Sequence, residues 1–272
     1  MVRSLWTAAT GMISQQTNVD NIANNLANVN TVGYKTEVAE FKSLLYQTMQ
    51  TRTTTANGQN KPVSAQVGLG VRNSAITSIF KQGSLIASVS DTAFAIQGDG
   101  LFAVRGQDGE TYYTRNGNFL FTTATNNQMM LATTDGLPVL DTTGNPIVLP
   151  TTYVASRLGV NARGELTYPD EANNPQPIGI AIGVFQFTNP SGLEKVNDTM
   201  YAVTAASGAA INEATNNNVE KSSIIQGYLE GSSVQVADEM VNLIVAQRAY
   251  EMNSKAITTT DEMLQQANQL KR

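Results

Sequence analysis

At 272 residues the chain has room for one large domain or two ordinary ones. Apolar residues make up 41% against 14% charged, so the surface leans on Asn, Gln, Ser and Thr, and a net charge of -5 argues against nucleic acid, which wants a basic face. Cysteine and histidine are both absent, which removes disulfide frameworks, thiolate metal sites and the commonest general base, so neither a metal nor a cofactor is expected.

The first residues do not read as a cleaved secretory signal, because Thr7, Thr10, Ser14 and Gln15 interrupt any apolar run after Arg3. No stretch approaches the roughly 18 apolar residues of a membrane span. Residues 4–29 read instead as one helix. Leu5, Met12, Val19 and Leu26 recur every seven positions, with a second register, Ala8, Gln15, Ile22 and Val29, offset by three. That spacing places a narrow seam along a helix that cannot bury it alone. Asn28, Asn30 and Gly33 supply the stop. The other face carries Asn18, Asn21, Asn24, Asn25 and Asn28, which reads either as solvated or as packed against other helices through neutral hydrogen bonds.

Residues 34–50, with Val38, Phe41, Leu44, Leu45 and Met49, suit a short helix or an extended arm. Residues 51–66 are polar and Thr-rich, with Asn57-Gly58 and Lys61-Pro62, and read as a linker or exposed extended loop. From Gly68 to about Gln226 the pattern is β. Phe94 and Ile96, then Phe102 and Val104, alternate, and turn signals recur at Asp108-Gly109, Asp135-Gly136, Gly144-Asn145, Arg163-Gly164 and Asn189-Pro190. Short strands at that spacing predict an antiparallel barrel or sandwich. A last helix runs over residues 234–270, with Val236, Leu243, Tyr250, Ile257 and Leu264 again at seven-residue spacing. The expected fold is α+β, with discontinuous N- and C-terminal coiled-coil helices flanking a central antiparallel all-β domain. Its parts are a helix over 1–35, an arm and linker over 36–67, a β domain over 68–227 and a closing helix over 228–272.

No constellation supports catalysis, and the chain is not expected to be an enzyme. Gly98-Asp99-Gly100 resembles part of a dinucleotide fingerprint but lies between two strands with no helix to follow, so a tight turn is expected. Asp108, Glu110 and Asp135 sit in turns, where carboxylates bond their own backbone. Asp238-Glu239 and Asp261-Glu262 read as a solvated or intersubunit face, and Trp6 as buried in a helix contact rather than as a membrane anchor.

The stretch Ala23-Asn24-Asn25-Leu26-Ala27-Asn28-Val29-Asn30-Thr31-Val32-Gly33-Tyr34-Lys35 resembles the N-terminal signature shared by bacterial flagellar rod and hook axial proteins. Gln247-Arg248-Ala249-Tyr250-Glu251-Met252-Asn253-Ser254-Lys255 resembles their C-terminal signature. Ala95-Ile96-Gln97-Gly98-Asp99-Gly100-Leu101-Phe102 and Tyr113-Thr114-Arg115-Asn116-Gly117-Asn118-Phe119 are similar to that family's β-domain strands. Within the family, residues 3–12, the insertion after Leu44-Leu45-Tyr46-Gln47 and Gln66-Val67-Gly68-Leu69-Gly70-Val71 look most like its distal-rod members.

The resemblance implies a subunit exported unfolded by the flagellar type III apparatus without signal cleavage. It would polymerise with itself into a hollow, straight shaft of the basal body, outside the cytoplasmic membrane. Proximal rod proteins would lie at one end and the hook or hook–rod junction at the other, with ring proteins and peptidoglycan around it. The assembly interface is then expected at Leu5, Met12, Val19, Ile22, Leu26, Val29, Val236, Leu243, Tyr250, Ile257 and Leu264. A rod-stiffening segment is expected at Thr51, Arg52, Thr53, Asn57, Gly58, Lys61, Pro62 and Gln66. Another rod or hook paralogue of the family, a secreted adhesin on a coiled-coil stalk, and a hydrolase working without His are the competing readings.

Overall fold

The computed structural model describes residues 2–50, 65–124, 128–170, 174–197, 199–216 and 218–270. The chain divides into two compact units, one of Met1–Leu26, Glu37–Thr77 and Gln235–Arg272, the other of Ala27–Thr36 and Ser78–Val234.

The first unit holds α1 (Val2–Ala27), strands β1 (Glu37–Ser43), β2 (Tyr46–Gln50), β3 (Ala65–Gly68) and β4 (Val71–Ser78), and helix α2 (Val236–Gln269). The segment after α1 takes the extended alternative, not the helical one. β1 pairs with β4, and β2 runs antiparallel to β3 in a register that sets Tyr46 opposite Gly68 and Thr48 opposite Gln66. Those ladders satisfy the backbone from partners a local pattern cannot reveal. Gly70 turns β3 into β4 at φ +108°, beside Thr10 of α1, whose hydroxyl accepts from the Val71 N–H at 3.4 Å.

The strands of the second unit pair antiparallel, with short 3-10 turns at Ala155–Arg157 and Pro190–Gly192. Its strands are β5 (Leu85–Ala87), β6 (Phe94–Gln97), β7 (Leu101–Arg105), β8 (Thr111–Thr114), β9 (Phe119–Thr123) and β10 (Met129–Thr133). They continue as β11 (Val148–Leu149), β12 (Gly159–Val160), β13 (Glu165–Pro169), β14 (Pro175–Ala181) and β15 (Val184–Gln186). The last are β16 (Glu194–Asn197), β17 (Met200–Ala202), β18 (Ile211–Asn212), β19 (Ser223–Gln226) and β20 (Tyr228–Glu230). The largest sheet has the order β16-β17-β8-β7-β15-β18, and the smaller ones are β11-β10-β9, β12-β13-β14, β19-β6 and β20-β5.

Of the barrel and the sandwich expected from the sequence, the barrel drops out. No closed barrel forms among the described residues, since the outer strands β16 and β18 of the largest sheet do not pair with each other. The unit closes its core by layering small sheets over a central one. β7 is covered on both faces. Leu101, Phe102, Ala103 and Val104 are all fully buried, with Phe102 and Val104 in a cluster that includes Phe94, Phe119, Leu131, Val139 and Ile224. Leu101 and Ala103 face Tyr113, Leu140, Phe187 and Tyr201 on the other side. A central strand covered on both faces reads as a continuous apolar run.

The Gly98–Gly100 stretch is a crossing between sheets rather than a hairpin turn. β6 pairs with β19, whereas β7 pairs with β8 and β15. Gly98 adopts φ +131°, and a Cβ on it would lie 2.6 Å from the Ser222 hydroxyl, so only glycine fits. No helix follows these glycines.

Candidate assembly interface and its buried charge cluster

The amide face of α1 is packed at Asn21 and Asn25, against a strand end, while Asn18 and Asn28 are half-buried and Asn24 is exposed. Asn21 and Asn25 are buried. Their side-chain amides donate to the Glu37 carbonyl at 3.0 and 2.8 Å, and the Glu37 N–H donates to Asn25 Oδ1 at 3.0 Å. Two helical asparagines four residues apart thus cap the start of β1, filling a side chain's donor and acceptor at once. α1 meets α2 where Gly11 lies against Asn253, and a Cβ at Gly11 would stand 2.9 Å from the Asn253 amide nitrogen.

Of the residues expected at the interface, Ile22 is buried, while Leu5, Met12, Val19, Leu26, Val29, Leu243, Ile257 and Leu264 are half-buried. Val236 and Tyr250 are exposed. The better-covered stripe of α2 is a second seven-residue register, Glu239, Ala246, Asn253 and Thr260, of which all but Asn253 are buried. It is small and polar, so an apolar-periodicity reading misses it. Its only sequence signal is its offset of three or four from the apolar register. Glu239 is therefore not solvated, unlike its neighbour Asp238. Burial pushes its carboxyl above the usual range, the Asn25 side chain opposes the shift by hydrogen bonding, and Asp238 adds to it.

The first unit leaves much apolar surface uncovered in a single chain. Met240, Val241, Ile244, Val245 and Met252 of α2 are exposed, as are Ile13 of α1 and Leu45, Tyr46 and Met49 of the arm. Trp6 is not buried in a helix contact. It is 67% exposed, beside Arg3, Thr7 and Leu69 around a shallow hollow. Apolar surface of this extent marks contact with something else. Of the expected stiffening segment, Gln66 lies in β3 opposite Thr48, and Thr51, Arg52, Thr53, Asn57, Gly58, Lys61 and Pro62 lie outside the described residues.

The second unit contains a feature that the sequence reading did not single out. Lys35, Arg115 and Glu230 are buried together. Lys35 Nζ donates to Glu230 Oε1 at 2.6 Å and to the Lys81 carbonyl at 2.8 Å. Arg115 Nη1 donates to Glu230 Oε2 at 3.0 Å and to the Ile96 carbonyl at 3.3 Å, and its Nη2 donates to the Gly98 carbonyl. The Gly83 N–H completes the carboxylate shell at 2.8 Å, and the Gly33 N–H donates to the Glu230 carbonyl at 2.8 Å. Burial, then the Arg115 charge, hold the Lys35 ammonium below its ordinary pKa, against the attraction of Glu230. Beside the cluster, Thr36 N–H donates to Ser233 Oγ at 2.9 Å and Ser233 N–H to the Tyr34 carbonyl at 3.1 Å.

Buried charges are retained where each is paired and hydrogen-bonded, and one carboxylate between two cations gives that here. The result is a pin through residues 33–36, 81–83, 96–98, 115 and 230–233. Lys35 and Arg115 lie inside two of the four quoted motifs, so the cluster accounts physically for part of both. Gly33 takes φ +72°, and a Cβ there would stand 2.6 Å from the Asn116 nitrogen, so the glycine of the first motif is needed for its close approach to the second.

Three family patterns match the chain. "Flagella basal body rod protein" covers residues 5–35, "Flagellar hook protein FlgE/F/G D1 domain" residues 95–168, and "Flagellar basal body rod FlgEFG protein C-terminal" residues 225–270. Over 274 residues the chain is 41% identical to the flagellar basal-body rod protein FlgG of Borreliella burgdorferi, with all of both chains covered. It is 40% identical to that of Caulobacter vibrioides, over 99% of this chain and all of the other. It is 37% identical to that of Bacillus subtilis, again over the full length of both. With full-length relatives at this identity and family patterns over both terminal helices, the chain belongs to the flagellar basal-body rod protein family.

Proposed function

We propose that this chain is the structural subunit of the flagellar distal rod. It polymerises helically into a hollow, straight shaft that joins the proximal rod to the hook. The observation that carries this reading is the uncovered apolar surface of the first unit, on α2 at Met240, Val241, Ile244 and Val245 and on the arm at Leu45 and Met49. In an open helical array each copy covers its neighbours' exposed stripes, and a contact made head to tail does not close. The terminal helices pair as a coiled coil in that array, with Leu5, Met12, Val19, Ile22 and Leu26 of α1, Val29 just past its end, and Val236, Leu243, Tyr250, Ile257 and Leu264 of α2 in the subunit contacts. Residues 51–66 dock as a strut that resists the sliding a curved tube requires.

The partners are further copies, proximal rod proteins, the hook or its junction, and the type III export apparatus that threads the unfolded chain. Ring proteins and peptidoglycan surround the finished shaft. Negative-stain imaging of the concentrated full-length protein tests the reading. Tubes or filaments are expected, and discrete trimers would favour a stalked adhesin instead.

A further inference from the structure

The second unit carries an apolar knob and an apolar hollow at opposite ends of one ladder. The ladder is β7–β8, in which Phe102 pairs with Thr114 at one end and Arg105 with Thr111 at the other. Beyond Arg105 and Thr111, the turn over residues 106–110 opens a hollow of about 400 Å³. Tyr112, Leu137, Val196 and Met200 give it apolar walls, and Asp108 and Asp135 stand among its lining residues.

At the other end an isolated bridge joins Ala93 to Asn118, and the Phe94 N–H donates to the Gly117 carbonyl at 3.0 Å. The loop before Ala93 presents Val89 fully exposed. That loop is held firmly. Ser88 N–H donates to the Gly227 carbonyl at 2.8 Å, Ser90 N–H to Ser88 Oγ at 3.2 Å, and Thr92 Oγ1 to the Phe119 carbonyl at 2.6 Å. Beside it the loop over residues 153–157 exposes Val154 and Arg157, and Tyr153 anchors it edge-on to the Tyr168 ring at 4.8 Å. One side chain ties the two loops together, as Gln226 Nε2 donates to the Asp91 carbonyl at 2.6 Å and the Leu158 carbonyl at 2.9 Å.

We propose that the Val89/Val154 end of one copy seats in the Tyr112–Leu137–Val196–Met200 hollow of the next. Arg157 then faces the Asp108 and Asp135 carboxylates. β7 spans five residues, roughly 17 Å at strand rise, so no copy can fill its own hollow and the occupant is a second copy. The two surfaces match in apolar character and are opposite in charge. Because they are different patches of the same chain, their contact repeats without closing and sets an axial stacking of β units. This proposal rests on the polymer reading above and adds to it a named contact.

The chain has no cysteine, so introduced thiols report without background. Cells co-express two full-length versions, Val89→Cys and Val196→Cys, and isolated basal bodies are oxidised with copper phenanthroline. A covalent dimer joined through positions 89 and 196 is expected only when both versions are present, since a disulfide needs Cα atoms within about 7 Å. Arg157→Glu should cut rod assembly about two- to fivefold, and adding Asp135→Arg should restore it. Rods that assemble normally without the 89–196 link overturn the docking while leaving the polymer reading intact. Basal bodies whose rods do not contain the unsubstituted chain overturn the polymer reading, and the docking with it.

Discussion

Lys35 and Glu230 lie 195 positions apart in sequence and meet at 2.6 Å, with side chains 1% and 0% exposed. Arg115 approaches the same carboxylate from the other oxygen. The second unit is thus built around a charge cluster whose three members come from the start, the middle and the end of the chain. Such a cluster need not add net stability over an apolar core, but breaking it leaves charge stranded.

Glu230→Ala should therefore strand two buried cations and lower the stability of the β unit by roughly 3–5 kcal/mol. Urea unfolding followed by tyrosine fluorescence measures it. A loss below about 1 kcal/mol would show that Lys35 and Arg115 reach water once the carboxylate is gone.

Gly33→Ala should act on the same pin from the backbone side. At φ +72° with the Asn116 nitrogen 2.6 Å from the added carbon, the substitution forces residue 33 off its conformation. The expected cost is on the order of 1–3 kcal/mol. Thermal melts of the variant against wild type check it, and an unchanged melt would remove the steric argument.

Leu26→Asp or Leu243→Asp should abolish rod growth and swimming while leaving the β unit folded. Both residues are half-buried in the first unit in a single chain. A subunit contact would bury the introduced carboxylate without a partner, at a cost of roughly several kcal/mol repeated in every copy. Soft-agar motility and limited proteolysis of the β unit are the readouts. Normal swimming by either variant would take that position out of the interface.

Acid should strengthen the packing around Glu239. Its folded-state carboxyl is raised by burial, so the folded chain takes up this proton at a higher pH than the unfolded chain does. The resulting stability is fully present below the unfolded value of 4.5 and is lost as pH rises through the raised folded value. Glu239→Gln should flatten that part of the profile. Helical circular dichroism during thermal melts across the acid range measures it, and an identical slope in the variant would refute the assignment.

Residues 51–64 lie in sequence between β2 and β3, which pair antiparallel from Tyr46 opposite Gly68 to Gln50 opposite Ala65. Replacing them with a short glycine turn should permit polymerisation but yield curved or flexible rods. Electron microscopy of basal bodies from that strain gives the curvature, and straight rods would reduce the segment to a passive connection.

The sequence alone determined what local physics controls. Seven-residue periodicity marked both terminal helices, because helix geometry repeats in the residues themselves. Turn residues such as Asp108-Gly109 and Arg163-Gly164 punctuated the strands, because their backbone preferences are intrinsic. The motifs around Asn25, Arg115 and Tyr250 carried the family.

Tertiary structure decided everything that needs a distant partner. It covered both faces of β7, left the sheets open, turned Asn21 and Asn25 onto the start of β1, and gave the better-covered stripe of α2 to Glu239, Ala246 and Thr260. Above all it brought Lys35, Arg115 and Glu230 together. A charged residue looks the same in sequence whether water or another charge will satisfy it, and only the folded chain supplies the partner that makes its burial tolerable.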